Sequence, residues 1–473
     1  MNALPGDTYR WNWNTPILLS PHNPRTIWMG GNRLFRSDNQ GDLWIASADL
    51  TRQVDRCKIT VMGAAGTTAQ LSKNDGMTSF STVIAISESQ AMAGVVWAGT
   101  DDGLVQVSRD NGATFTEVGK NITGLPAGAL DGDNPYWISR IDASHFDAAT
   151  AYVAIDGHRS NDLKPYVYAT HDYGRTWSLI TNGLPTYGNV QVVREDPKNR
   201  DLLYAGTEFG LFVSLDGGRN WERFMNNYPT VRTDDILIHP RDNDLIVGTH
   251  GRSIYIMDDV SSLQQLSDTT TTTDAALLDI RPAVAWTTDI QKAILAEGAK
   301  VFRAQNPAQG SAISYWLKSA ATSDVRITVT DVTGREIRNL IGTKNAGLNR
   351  VQWDLRAGGA GGRGRGQGGG GAAQPAPAAE AGAPATPQAG AQPPSPQQPA
   401  APATPDEGAR GRGAAAAPAA TPAGGGGGGG GRGRGAFGGP PVAAGTYLVK
   451  LMIGDKVVGQ KTIVVEPDST FLQ

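Results

Sequence analysis

The chain has 473 residues, of which 39% are hydrophobic and 18% are charged, and its net charge is -3. So small a net charge excludes a general electrostatic attraction to nucleic acid or to a membrane surface, and a single cysteine excludes an internal disulfide framework and a cysteine metal cluster. No apolar run of about 18 residues occurs, so the sequence predicts no membrane-spanning helix. The first residues are polar and aromatic and lack the apolar segment of a secretory signal.

An eight-residue motif, Ser/Thr-x-Asp-x-Gly-x-Thr-Trp, is repeated in the first half of the chain. Its copies occupy residues 37–44, 108–115, 170–177 and 214–221, and the first copy is the weakest. The acidic position is held by Asn39, Asp110, Asp172 and Asp216, and the aromatic position by Trp44, Phe115, Trp177 and Trp221.

We interpret each copy as a structural turn between two strands. Glycine permits a positive φ, the carboxylate can accept backbone N–H groups across a tight turn, and the aromatic ring can fill the gap between neighbouring sheets. A catalytic or calcium-binding role for these carboxylates is the alternative.

Short apolar runs, rich in β-branched and aromatic residues, surround each motif and predict strands. Residues 95–100 and 202–207, for example, both end in Ala-Gly-Thr. Four strands in about 40 residues are typical of one blade of a β-propeller. The sequence therefore predicts an all-β protein with four blades and a final partial one, at about 16–46, 82–118, 138–181, 190–225 and 234–260.

With these motifs the chain resembles the BNR or Asp-box repeat proteins, and in particular the sortilin (VPS10)-like β-propellers, which are often labelled glycosyl hydrolases and are akin to xyloglucanase-type propellers. The resemblance implies an extracellular or periplasmic location. Relatives of this kind carry larger rings, so we interpret the chain as the C-terminal portion of a longer protein with an incomplete ring. A complete small ring, closed by strands near 273–287, is the alternative.

A second group of strands follows the propeller, which we assign to residues 1–265. These strands are predicted at 312–317, 325–329, 349–355, 446–452 and 457–465. Neither half of the group suffices for a stable sandwich. We therefore predict one immunoglobulin- or fibronectin-like domain made from 297–356 and 441–473, joined to the propeller by a connector at 266–296.

Residues 357–440, which interrupt this domain, are almost entirely Gly, Ala, Pro, Gln and Arg. Such a composition cannot form a core and predicts a disordered insertion. Its Arg-Gly sequences are of a kind that can bind RNA or another polyanion, but hardly any aromatic residues are interleaved with them. A solvated loop without a nucleic-acid partner is therefore favoured.

Propeller topology brings the turns between second and third strands to one face, opposite the repeated motifs. Asp101, Asp102, Glu208, His250 and Arg252 lie in such turns, and Trp137 lies in a loop that reaches the same face. Asp101 or Asp102 paired with Glu208 could supply the two carboxylates of a glycoside hydrolase, with Asp102 and Glu208 as the catalytic candidates. The other four residues are candidate ligand contacts. The alternative is that the acids are solvated turn residues and that Trp137 packs between blades.

The sequence predicts no cofactor and no metal site, because its six histidines show no close ligand spacing and none of the common catalytic motifs occurs. The favoured function is a binding scaffold for a protein, peptide or glycan. The alternative is a xyloglucanase-like glycoside hydrolase.

Overall fold

The structure is a computed structural model that describes residues 8–54, 79–287, 307–358 and 439–469, together with the backbone of 60–61 and 64–65. The predicted disordered insertion and the first residues of the chain lie outside these ranges. The described residues up to 358 and from 440 onward belong to one compact unit.

Five antiparallel sheets, here called blades 1 to 5, follow one another along the chain. Blades 1 to 4 have four strands each, and blade 5 has three. The strands of blade 1 are Ile17–Leu19, Ile27–Gly30, Arg33–Ser37 and Ile45–Asp49. Those of blade 2 are Val83–Glu88, Val96–Thr100, Val105–Ser108 and Thr116–Glu117. Those of blade 3 are Trp137–Ala143, Ala151–Asp156, Tyr166–Thr170 and Ser178–Leu179. Those of blade 4 are Val190–Glu195, Leu203–Thr207, Gly210–Ser214 and Glu222–Arg223. Those of blade 5 are Thr233–Ile238, Leu245–Thr249 and Ile254–Met257.

The first strands of consecutive blades pack against one another and line one central cavity. The second and third strands are buried on both faces in blades 2, 3 and 4, which explains their nearly continuous apolar sequences. The predicted all-β propeller and its blade positions are confirmed.

Each repeated motif forms the turn between the third and fourth strands of its blade. In the second copy, Asp110 Oδ1 accepts hydrogen bonds from Ser108 Oγ at 2.8 Å and from Thr114 N at 2.9 Å. The hydroxyl of Ser108 in turn accepts from Gly112 N at 2.8 Å. The other copies repeat this pattern, and Asn39 replaces the carboxylate in the first by accepting from Leu43 N at 2.9 Å.

The turns require two successive residues with positive φ, whereas the sequence pointed only to the glycine. Gly112 has a φ of 79° and Asn111, just before it, a φ of 61°. Glycine is needed at the second position for a further reason, because a Cβ on Gly112 would lie 2.8 Å from the Trp28 ring of the preceding blade.

The aromatic residue that ends the motif packs toward the preceding blade. Trp177 Nε1 donates to the Val118 carbonyl at 3.1 Å, and Trp221 Nε1 donates to the Ile180 carbonyl at 2.7 Å. Phe115 packs on the cluster between blades 1 and 2, and Trp44, in the first blade, is only half-buried.

Among the described blades, blades 1 and 5 each have one face with no neighbouring blade, and these two faces carry exposed apolar side chains. Ile17 and Leu19 of blade 1 are 68% and 62% exposed, and Ile254 and Ile256 of blade 5 are 66% and 59% exposed. No sheet in the described ranges covers either face.

The C-terminal strands form two sheets around a common core. The three-stranded sheet has the order Ala275–Leu277, Ser311–Leu317, Gly347–Trp353. The five-stranded sheet has the order Ala283–Ala285, Lys456–Pro467, Gly445–Ile453, Val325–Asp331, Glu336–Ile341. The segments before and after the insertion both contribute strands to these sheets. That they form an immunoglobulin- or fibronectin-like domain stays a prediction.

Two expectations about residues 266–296 are corrected. The alternative of a small ring closed near 273–287 is wrong, because Ala275–Leu277 and Ala283–Ala285 pair with C-terminal strands. For the same reason the described part of this segment is not a simple connector. Leu277 and Ala283 are buried in the C-terminal core, and the burial of their apolar surface stabilises the segment as part of that domain.

Candidate functional site

A cavity of about 500 Å³ lies where the five innermost strands converge. It reaches the turns between first and second strands, on the same side as the repeated motifs. Its lining includes Pro16, Ile17, Leu19, Ile84, Arg140, Asp142, His145, Arg194, Glu195, Asp235, Leu237 and Pro240. This side is opposite the face on which the sequence predicted a ligand.

Two arginines cross the interior of the cavity toward blade 5. Arg140, from blade 3, reaches past blade 4 to Asp235 at 3.0 Å and to the Asp234 carbonyl at 3.3 Å. Arg194, from blade 4, pairs with Asp142 at 2.8 Å and with Asp235 at 3.4 Å. Charge pairs therefore join three blades at the centre of the propeller.

Arg140 retains hydrogen-bonding capacity in this network. Burial and the neighbouring Arg194 guanidinium lower the pKa of Arg140 to about 10, which leaves it charged at neutral pH. Its Nε is buried and has no hydrogen-bond partner within the described ranges. A buried donor without a partner is costly to the folded state.

His145 and Glu195 lie at the edge of the same cavity. The Glu195 carboxylate accepts from Ser144 Oγ at 2.9 Å and from His145 N at 2.6 Å, and His145 Nδ1 lies 3.3 Å from it. Burial alone would lower the pKa of His145, but Glu195 and other nearby carboxylates raise it on balance. The His145 imidazole therefore stays protonated to a higher pH than an ordinary histidine does.

Apolar side chains form the rim on two sides of the cavity. Ile17 and Leu19 project from blade 1, and Leu237, which is 56% exposed, projects from blade 5. The cavity thus combines apolar side chains with a few charged groups, which is the usual composition of a ligand pocket.

Asp101 and Asp102, predicted at the opposite face, are fully buried and engaged in hydrogen bonds. Asp101 Oδ1 accepts from Thr82 N at 2.7 Å, and Asp101 Oδ2 accepts from Thr82 Oγ1 at 2.8 Å and from Asn12 Nδ2 at 3.2 Å. Asp102 accepts from Thr100 Oγ1 at 2.6 Å and from Arg52 N at 2.8 Å. These bonds fasten the start of blade 2 to the segments on either side of blade 1.

Burial is the main cause of the raised pKa values of this pair. It raises the pKa of Asp101 to about 7, and the Asp102 carboxylate adds to the effect. The pKa of Asp102 is raised as well, again chiefly by burial.

Glu208 lies in a different environment, in the tight turn between Leu203–Thr207 and Gly210–Ser214 of blade 4. It is half-buried, and its backbone N–H donates to the Asn189 carbonyl at 3.0 Å. Asp102 and Glu208 therefore belong to blades 2 and 4, with blade 3 between them in chain order.

The other predicted ligand contacts are spread over blades 3 and 5. The Arg159 guanidinium stacks on the Trp137 ring, 3.5 Å from its centroid, so that face of Trp137 is occupied. His250 is exposed and its Nδ1 lies 3.2 Å from Asp234 Oδ2. Arg252 is exposed in the same turn.

The sequence reasoning missed every charged residue of the central cavity. Arg140, Asp142 and Arg194 lie inside the apolar first strands, where a charge needs a partner. That local conflict was the available signal, but the partners lie on other blades and could not be paired from the sequence.

The comparisons with known proteins give no family and only distant structural similarities. No protein-family model and no curated protein sequence matches this chain. An ancestral GH74 enzyme is 13% identical with a TM-score of 0.35, over 75% of this chain and 40% of that one. YCF48, solved with a D1 peptide bound, is 14% identical with a TM-score of 0.31, over 56% of this chain and 76% of that one.

A GH74 xyloglucanase from Xanthomonas campestris is 14% identical with a TM-score of 0.28, over 56% of this chain and 48% of that one. This chain thus spans about half of the xyloglucanase, and less than half of the ancestral enzyme. Identities and TM-scores this low assign no activity, ligand or partner to the chain.

None of the helices in the described part of the chain combines the length and hydropathy that a membrane span needs. No group of three or more His, Cys, Asp or Glu side chains in those ranges is arranged to hold a metal ion.

Proposed function

We propose that the chain is a β-propeller scaffold that binds a polypeptide in its central cavity, without catalysing a reaction. An extracellular or periplasmic location is part of the proposal and rests on the resemblance of the repeated turns to those of sortilin-like proteins. The observation that carries the proposal is the convergence of five first strands on one cavity of about 500 Å³, a volume typical of ligand sites.

The lining of the cavity favours a polypeptide over a glycan. Among the described residues, its only side chain with an aromatic ring is His145, so sugar rings would find no Trp, Tyr or Phe face to stack on. The apolar rim suits aliphatic side chains, and the guanidinium groups of Arg140 and Arg194 in the lining suit backbone or side-chain oxygens.

A displayed peptide library selected on the full chain tests this proposal, with affinities of the selected peptides measured by calorimetry. Leu237→Asp adds a carboxylate to the rim and should weaken binding at least tenfold. Ile45→Asp is the matched control, because Ile45 is 54% exposed, much like Leu237, and does not line the cavity. Equal affinity of both variants for every selected peptide would count against the central cavity.

The hydrolase alternative has one observation in its favour, the pKa of Asp101 near 7, since a carboxyl that is protonated at neutral pH can act as a general acid. The burial of Asp101 and its internal hydrogen bonds weigh against that role. A panel of polysaccharides, including xyloglucan, should release no reducing sugar. Hydrolysis that disappears in Asp102→Asn and Glu208→Gln would replace the scaffold proposal with the hydrolase.

A further inference from the structure

Blade 5 ends with an open sheet edge. Its third strand, Ile254–Met257, has no fourth strand beside it, whereas blades 1 to 4 each have one. After Met257 the chain turns into the short helix Ser261–Gln264 instead of forming the repeated turn. The edge therefore lacks a partner within the described ranges.

The register shows which backbone groups face this edge. Ile254 pairs with Gly248 as Leu211 of blade 4 pairs with Gly206. In blade 4 the Leu211 carbonyl accepts from Phe224 N at 2.9 Å, just after the fourth strand. By equivalence the carbonyl of Ile254, and the N–H and carbonyl of Ile256 two residues later, are directed at the open edge.

The side chains of this edge do not discourage strand addition. Natural edge strands are usually protected by charges, proline or a bulge, but the strand reads Ile-Tyr-Ile-Met and pairs with Leu245–Thr249 without a register shift. Ile254 and Ile256 are 66% and 59% exposed.

An apolar pocket of about 320 Å³ lies beside the edge, between blades 4 and 5. Its apolar lining includes Leu211, Phe224, Tyr228, Leu245, Val247 and Tyr255. A cavity of about 150 Å³ lined by similar side chains can hold benzene, so this pocket has room for an indole or a phenyl ring.

The pocket corresponds to the position that an aromatic ring fills between earlier blades. Val118, Ile180 and Phe224 are equivalent, because each donates its backbone N–H to the third strand of its own blade at 2.8 to 2.9 Å. The carbonyls of Val118 and Ile180 accept hydrogen bonds from Trp177 and Trp221 of the following blades. Among the described residues, none of blade 5 provides such a ring for Phe224.

We propose that the open edge of blade 5 binds an extended segment of a partner polypeptide by strand addition, with a Trp or Phe of that segment in the adjacent pocket. The partner segment takes the place of the missing fourth strand. In blade 4, Glu222 of the fourth strand pairs with Val213, and Trp221 immediately precedes Glu222. Ile256 is the equivalent of Val213 in blade 5. The aromatic residue of the partner segment therefore immediately precedes the residue that pairs with Ile256. Backbone hydrogen bonds supply affinity and the pocket supplies specificity. This site is separate from the central cavity and does not depend on it.

The probe is a fluorescein-labelled synthetic peptide that copies residues 214–224, the motif and fourth strand of blade 4. Fluorescence polarisation with the full chain should show saturable binding. A peptide with alanine in place of Trp221 should bind at least tenfold more weakly, because it leaves the pocket empty.

Ile256→Pro tests the backbone contribution. The N–H that proline removes faces the open edge, so the sheet should tolerate the change, and peptide affinity should fall at least tenfold. Ile341→Pro is the matched control, since Ile341 ends the edge strand Glu336–Ile341 of the C-terminal sheet and is 87% exposed. If circular dichroism shows that Ile256→Pro is unfolded, Met257→Asp at the pocket rim replaces it.

Three results would overturn the proposal. The first is affinity weaker than about 1 mM for the unmodified peptide, which would also follow if another segment of this chain occupied the edge. The second is equal binding of the alanine peptide. The third is a concentration-dependent dimer that Ile256→Pro abolishes, because the occupant would then be a second copy. Leu237→Asp should leave peptide binding unchanged, so failure of the central cavity is distinguishable from failure of this site.

Discussion

The indole N–H of Trp221 donates a hydrogen bond to the Ile180 carbonyl at 2.7 Å and so links the fourth blade to the third. The same motif that shapes a turn within one blade thus also supplies an anchor to the blade before it. Trp177 repeats the relationship with Val118. Trp44, at the start of the array, is half-buried and makes no such bond with any described residue.

Replacing these tryptophans should therefore have unequal effects. Trp221→Ala removes a buried ring and leaves a carbonyl without its donor, so it should lower the free energy of unfolding by about 3–5 kcal/mol. Trp44→Ala should lower it by about 1 kcal/mol or less. Urea denaturation followed by circular dichroism measures both, and equal losses would contradict the anchoring role.

Replacing the glycines of the turns should also destabilise the later blades more than the first blade. Gly174 and Gly41 have φ values of 78° and 99°, so alanine is strained at either position by about 1–2 kcal/mol. A Cβ on Gly174 would also lie 2.7 Å from Val118, whereas at Gly41 the nearest atom is 3.8 Å away, in Trp44. Gly174→Ala should lower the free energy of unfolding by about 1–3 kcal/mol more than Gly41→Ala does. Thermal unfolding of the two variants measures this difference, and equal losses of stability would show that the turn at Gly174 does not pack tightly against blade 2.

Asp101 should make stability depend on pH. Because burial raises its pKa from 3.8 to about 7 in the folded protein, the folded state holds a proton that the unfolded state releases between these values. Stability should fall as pH rises from about 4 to 7, by an amount on the order of 4 kcal/mol at most. Asp101→Asn should flatten this part of the profile in urea titrations, and an unchanged slope would show that the carboxyl is ionised when folded.

Arg194 should be important for the assembly of blades 3, 4 and 5. Arg194→Met leaves the buried Asp142 carboxylate without its partner at 2.8 Å, and the loss of one member of a buried pair costs about 3–5 kcal/mol. The double variant with Asp142→Leu should recover part of that loss. A double-mutant cycle of unfolding free energies gives the coupling energy between Arg194 and Asp142. A coupling energy near zero would mean that Arg194 depends on its ion pair with Asp235 and not on the one with Asp142.

Much of the propeller could be predicted from the sequence, while the candidate site could not. The repeated turns were found because their hydrogen bonds join residues two to four positions apart, as Asp110 joins Ser108 and Thr114. The predicted carboxylates at 101 and 102 were assigned to the correct turn, but no sequence pattern indicated their complete burial. The segment near 275–285 was misjudged because its pairing partners are up to 182 positions away, as Ala283 is from Val465.

The sequence by itself determined the blades, since strand alternation and turn chemistry are local and repeat along the chain. The tertiary structure alone decided where the two candidate sites lie. The central cavity depends on contacts such as that of Arg140 with Asp234, 94 positions apart. The pocket beside blade 5 lies where no ring among the described residues fills the position that a tryptophan fills between earlier blades. Both features arise from how separate blades meet, and the physical reason is that packing between distant segments leaves no periodic trace in the sequence of either one.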